Sequence, residues 1–149
     1  MRYIDHILQP GETVAYTTTL HWIVYLPAFG LWLLGALTLL FGALAGPIAL
    51  LVASTCAVVG LALACRAWFR RWTTEIDVTD RRIVYKRGFI RRHTVEMNMD
   101  KVESVDVDQS ILGRLFNYGD ITIRGTGVGL EPLLNIDSPL EFRNRVTAR

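Results

Sequence analysis

Gly125-Thr126-Gly127-Val128-Gly129 holds the chain's most suggestive spacing, because closely placed glycines let a backbone wrap a phosphate. That chemistry also needs a helix N-terminus directly after the glycines, and Glu131-Pro132 does not start one. A hairpin loop in a sheet is the reading that fits. Asp106-Val107-Asp108-Gln109-Ser110 imitates the opening of a calcium loop, but its sixth position is Ile111 instead of glycine and its twelfth is Asn117 instead of glutamate. Those acids read as the solvated face of a strand. His6, His21 and His93 lie far apart with no Cys, Asp or second His at ligand spacing, so no metal is expected. Ser54 lies among apolar residues, where a hydroxyl bonding back to its own helix is the ordinary arrangement. Ser104 and Ser110 have no local base. No catalytic residue and no cofactor is expected.

Charge carries more. The 149 residues have a net charge of only +2, yet residues 66–92 hold nine Arg or Lys against three acids and residues 93–141 hold three against nine. Two turn segments concentrate the basic side chains: Arg81 and Arg82 after Asp80, then Lys86, Arg87, Arg91 and Arg92 around Phe89. Held beside an anionic leaflet, each such cation gains about 1 kcal/mol. These seven residues are the candidate lipid- or partner-binding set.

The elements that position them begin with an apolar stretch. Between Glu12 and Arg66 there is no Asp, Glu, Lys or Arg, and a membrane helix needs about 20 mostly apolar residues. Trp22 to Leu44 supplies one candidate and Ile48 to Phe69 a second, with the turn at 45–47 between them. A secretory signal is the competing reading of the first span, but a basic segment before it is missing and the apolar run is too long. Trp22 and Tyr25 at the start, and Trp68 and Trp72 at the end, are placed as interfacial aromatic residues. Arg66, Arg70 and Arg71 follow the second span while the turn has no charge, which places both termini in the cytoplasm by the positive-inside rule. Gly42 and Gly46 make a G-x-x-x-G, Ala49, Ala53 and Ala57 repeat every four residues, and together they predict close helix packing within the hairpin. Cys56 and Cys65 are about 13.5 Å apart along one helix, too far for a disulfide.

From residue 73 the pattern becomes alternating. Thr74, Ile76 and Val78; Ile83 and Tyr85; Val95, Met97 and Met99; Val105 and Val107; Ile121 and Ile123; and Leu133, Leu134 and Ile136 predict six strands. Short connections imply an antiparallel meander. Ser138-Pro139-Leu140-Glu141 predicts a capped C-terminal helix, with Phe142 and Val146 on one face and Arg143, Arg145 and Arg149 solvated. Glu12 to Leu20, rich in threonine and valine, is a candidate for one further strand from before the membrane. The organisation is thus an N-terminal segment, 1–21, a two-helix transmembrane hairpin, 22–69, and a mainly β domain, 73–149.

Residues 82–96 (RIVYKRGFIRRHTVE), Val102-Glu103-Ser104-Val105, Gln109-Ser110-Ile111-Leu112-Gly113-Arg114 and Gly119-Asp120-Ile121-Thr122, together with Leu8-Gln9-Pro10-Gly11-Glu12, resemble the YdbS-like bacterial pleckstrin-homology (PH) domain family. The resemblance implies a PH-like fold: a bent antiparallel sheet of about seven strands closed by a C-terminal α-helix. It implies a fold more than an activity.

The leading expectation is a non-enzymatic, multi-pass protein of the bacterial inner membrane whose cytoplasmic domain docks protein partners as an accessory subunit of a membrane complex. A sensor of anionic phospholipid headgroups or envelope stress, using Lys86 to Arg92, is the alternative. A membrane-embedded enzyme ranks third, because ionisable groups are missing from the spans. Nucleic acid is not an expected partner, since residues 73–149 carry acids and bases in equal number and lack a stacking platform.

Overall fold

Helix formation in the apolar stretch starts as a 3-10 turn, Trp22–Tyr25, and continues as α1, Leu26–Phe41. Pro27 sits in the first turn, where its missing N–H would have had no partner. The Gly42 N–H closes α1 on the Thr38 carbonyl at 2.8 Å. The second helix, α2, runs from Pro47 to Thr73. The computed structural model describes residues 4, 7–42, 46–88, 93–126 and 132–148; Leu44 and Ala45, read as helix end and turn, lie outside them. Both helices are long and apolar enough to cross a membrane, and only 11% and 17% of their most apolar windows is buried. The core helix of a soluble protein would be mostly buried. The hydroxyls of Ser54 and Thr55 bond back to the Leu51 carbonyl, so no polar group faces outward unpaired at that turn.

Small residues set the hairpin seam, though not at a strict spacing of four. A Cβ on Gly35 would stand 3.2 Å from that of Cys56, one on Gly42 would stand 2.9 Å from that of Ala49, and Gly60 lies against the Trp32 indole. Ala49, Ala53, Cys56 and Gly60 are buried, while Ala57 faces outward and Gly46 is an exposed turn residue with φ +54°. At 3.6 residues per turn one face is followed by alternating steps of three and four. Cys56 therefore takes the place that a four-residue repeat assigned to Ala57.

The remaining unit joins Met1–His21 to Arg71–Arg149. Its strands are β1 Val14–Thr18, β2 Glu75–Thr79, β3 Arg82–Arg87, β4 His93–Asn98, β5 Val102–Asp108, β6 Tyr118–Gly125 and β7 Leu133–Asp137; α3, Ile111–Phe116, lies between β5 and β6, and α4, Pro139–Thr147, ends the chain. They form two antiparallel sheets, β1-β2-β3-β4 and β5-β6-β7, bridged at Leu20 and Ile136. Ile76, Val78, Ile83, Ile121, Ile123, Leu133 and Ile136 fill the space between. α4 seals it with Phe142 and Val146, and burial of a ring such as that of Phe142 contributes roughly 2–3 kcal/mol. Seven antiparallel strands and a C-terminal helix are the fold class that the PH-like resemblance implies, with β1 supplying the strand beyond the six read from alternation.

Local details differ from the pattern. Asp77 alternates with apolar residues as if solvated, yet it is 2% exposed and accepts a 2.7 Å hydrogen bond from the Thr17 hydroxyl of β1. Ser138 does not cap α4 with its side chain: it is left-handed, φ +49°, and its Oγ accepts from Asn117 Nδ2 at 2.9 Å. The first turn of α4 closes instead on the Ser138 carbonyl.

β1 comes from before the apolar hairpin and pairs with β2 after it, Thr18 opposite Ile76 and Val14 opposite Thr79. Just upstream of it is a buried ion pair. The Glu12 side chain is fully shielded from solvent, and its Oε1 and Oε2 accept from Arg82 Nε at 3.0 Å and Nη2 at 2.9 Å. The Thr79 hydroxyl and the Gln9 N–H donate to the same carboxylate. Burial alone would raise the Glu12 pKa, but these donors outweigh it and hold the group at about 2.

Removing Arg82 leaves a buried carboxylate without its partner, whereas removing the Glu12 charge leaves Arg82 its 2.8 Å contact with Glu96. Arg82→Met is therefore expected to destabilise the β unit by about 3–5 kcal/mol and Glu12→Gln by about 1–3 kcal/mol, read from amide exchange in β1 of the detergent-solubilised chain. Since the folded pKa lies below the usual 4.5, the contribution of Glu12 is complete above about pH 4.5 and is lost as pH falls toward 2. The gap between wild type and Glu12→Gln should narrow over that window; a constant gap would refute the assignment.

Candidate functional site

Strand register decides which end of the sheet each basic residue occupies. α2 ends at Thr73 and β2 begins at Glu75, which pairs with Lys86, while Val78 at the other end pairs with Ile83. Lys86 and Arg87 thus lie at the end where the chain passes from α2 into the sheet. Arg81, in the turn after Thr79, lies at the opposite end and is exposed. Arg82 is committed to Glu12 and Glu96 and also donates to the Ile7 carbonyl, so its guanidinium holds the fold and is not presented to a phosphate. Lys86 Nζ is 3.9 Å from Glu75. Arg87 is exposed opposite His93. Phe89, Arg91 and Arg92, in the connection between those two residues, lie outside the described residues.

The residues read as interfacial sit at the outer ends of the two apolar helices. Trp22 and Tyr25 occupy the 3-10 turn before α1. Arg66, Trp68, Arg70, Arg71 and Trp72 all belong to α2, which continues to Thr73 instead of ending at Phe69. Trp68 and Trp72 are more than half exposed.

A third group is absent from the sequence reading. After β5 the Ser110 hydroxyl accepts from the Gly113 N–H at 3.0 Å and caps α3, whose far end closes on Asn117 at φ +58°. A Cβ on Gly113 would come within 2.6 Å of the Tyr118 carbonyl, which also accepts from Gln109 Nε2. α3 is therefore seated through its glycine. Ile111, Leu112, Leu115 and Phe116 point outward. Beside this helix, the His21 ring stacks on Tyr118 with centroids 5.2 Å apart and bonds the Phe116 backbone. Burial lowers the pKa of His21, with Asp137 opposing and Arg71 reinforcing the shift, so its 3.8 Å approach to Asp137 joins a neutral imidazole to a carboxylate at pH 7. The sequence signal for α3 was Ser110 followed by i,i+4 pairs, Ile111 with Leu115 and Leu112 with Phe116.

Asp106 pairs with Arg124 across β5 and β6 at 2.9 Å, and among the described residues no three His, Cys, Asp or Glu side chains gather as metal ligands. Gly125 ends β6 close to the Lys101 carbonyl, while residues 127–129 of the glycine run lie outside the described set. The family model described as Bacterial PH domain matches residues 22–149. This chain belongs to the bacterial PH domain family. No curated protein and no solved structure matches it. As a bacterial PH domain with two helices able to cross a membrane, it has the architecture of a membrane-associated member. The family match starts after β1, so the strand from residues 14–18 is known from its pairing alone.

For this bacterial PH domain, Ser110→Ala should cost about 1 kcal/mol by loss of the cap, and Gly113→Ala about 1–3 kcal/mol because its Cβ meets a backbone oxygen. Thermal unfolding of the full chain in detergent checks both. If Gly113→Ala were the milder of the two, the described seat of α3 would be wrong.

Proposed function

We propose that this protein is a non-enzymatic, multi-pass component of the bacterial inner membrane, with both termini cytoplasmic, whose PH-like domain reads anionic headgroups through the segment from Lys86 to Arg92. The order of its motifs supports a YdbS-like member of the family. The observation that carries the lipid reading is the register of β2 on β3. It puts Lys86 and Arg87 at the end of the sheet that continues into α2, and a basic residue held beside an anionic leaflet gains about 1 kcal/mol. Arg91 and Arg92 add to the same connection in sequence. With two helices as anchor, headgroup contact is not needed for recruitment; it orients the domain and makes its posture sensitive to lipid charge.

Docking of protein partners within a membrane complex is the second reading, favoured by one observation. Among the described residues β4 pairs with β3 alone, and a sheet edge of this kind accepts an added strand.

The full chain in nanodiscs separates the two, and is preferable to a fragment starting at residue 73, which would lack β1 and Glu12. Trypsin cleavage after Arg87 should be slower with phosphatidylglycerol present than in phosphatidylcholine alone, with the difference erased by salt. Changing Arg87, Arg91 and Arg92 to Ala should lower protection at the neighbouring Lys86 by roughly 10- to 100-fold. Equal cleavage in both lipids would refute headgroup reading, and copurification of a stoichiometric partner blocked by proline substitution in β4 would favour docking.

A further inference from the structure

α3 presents a surface that neither the core nor the basic hairpin uses. Ile111, Leu112, Leu115 and Phe116 are 88%, 57%, 73% and 43% exposed, and Arg114 is the only charge among the six residues of the helix. The helix is held firmly, by the Ser110 cap, by Gly113 on the Tyr118 carbonyl and by Asn117 bonded to Ser138. Its outward apolar face is thus a fixed feature, and contiguous apolar patches on a domain surface mark sites where something else lies.

Its neighbours within the same unit say what. His21, which stacks on Tyr118 and bonds the Phe116 backbone, is covalently joined to Trp22, the first residue of the first apolar span. Arg71, on the last turn of α2, is close enough to act electrostatically on the same imidazole. The segment leading into the first apolar span therefore departs beside α3, and the end of α2 acts electrostatically on the same histidine. Those exits mark where the chain enters and leaves the headgroup layer of any bilayer that the hairpin crosses. A short segment with bulky apolar side chains and an arginine suits that layer.

We infer that α3 is an interfacial foot: Ile111, Leu112, Leu115 and Phe116 enter the headgroup–acyl boundary of the bilayer, with Arg114 directed to lipid phosphate. This rests on the reading that the hairpin spans a membrane, and it adds to the basic hairpin a second, apolar point of contact that is independent of lipid charge.

The test uses the full chain in phosphatidylcholine liposomes. In a Cys56→Ala, Cys65→Ala background, single cysteines introduced as Leu112→Cys, Leu115→Cys, Arg81→Cys and Leu33→Cys carry an environment-sensitive nitrobenzoxadiazole probe. Quenching is read from lipids with a nitroxide high on the acyl chain and from aqueous iodide. Probes at 112 and 115 should be quenched by nitroxide lipid at least about twofold more than the probe at 81, and be protected from iodide. If the probe at 33 is quenched by lipid while those at 112 and 115 respond to iodide like the probe at 81, the foot is refuted and the membrane hairpin stands. If the probe at 33 also fails to sense lipid, the membrane reading falls and takes the inference with it. Blue-shifted emission at 112 and 115 without lipid quenching would mean that protein covers α3, which overturns the inference in favour of a docked chain.

Discussion

The pairing of β1 with β2 is the constraint on which the rest depends, because the apolar hairpin lies between those strands. Thr18 and Ile76 are register partners, so the chain must leave the sheet and return to nearly the same point. A closed loop of that length carries an entropic cost that grows only slowly with its size, and a rigid helical hairpin with adjacent ends reduces it further. What the pairing does not tolerate is an odd number of crossings, which would put β1 and β2 on opposite sides of any bilayer. Fold and membrane topology are therefore one problem for this chain.

From that constraint the sheet acquires two unlike ends. β2 runs away from α2 and β3 runs back, so Lys86 and Arg87 share an end with Glu75 while Asp80 and Arg81 occupy the other. In the second sheet, Tyr118 lies opposite Asp137, and the Leu20–Ile136 bridge and the Asn135 carbonyl, which accepts from the His21 N–H, bring that end back to the segment leading into the first apolar helix. The basic hairpin and α3 thus come from different sheets, and each borders a point where the chain departs for the hairpin. One set of side chains offers charge and the other apolar surface.

Much of this was legible from periodicity. Six strands follow from alternation because each buries one face on a shared core, and the spans follow from the long stretch without charge. Asp77 was misleading because alternation assumes an open outer face, and the Thr17 hydroxyl of β1 closes it. Ser138 was misleading because a cap signature does not encode the left-handed backbone that turns its hydroxyl to Asn117. α3 has only six residues, so its two i,i+4 pairs are a weak signal, and its seat is a glycine, which contributes no hydrophobic signal at all. Arg82 could not be told from its neighbours in the basic block, since what distinguishes it is a carboxylate 70 residues earlier.

β1 was the least legible element, and the reason bears on how it is held. Its residues run from exposed Val14 to buried Thr18 without apolar alternation, so side-chain burial alone would not fix its register. Polar bonds do so at several levels: Glu12 to Arg82, the Thr13 N–H and carbonyl to Asp80, the Thr17 hydroxyl to Asp77, and the Thr18 hydroxyl to the Asp137 carbonyl. A one-residue slip would break this set together and strand the Glu12 carboxylate in the interior, a far larger penalty than a slip of a greasy strand over a greasy face. A buried ion pair is a poor source of raw stability, but it is a strong discriminator between registers. For a strand that must find its partner across an intervening pair of apolar helices, discrimination is the property that matters.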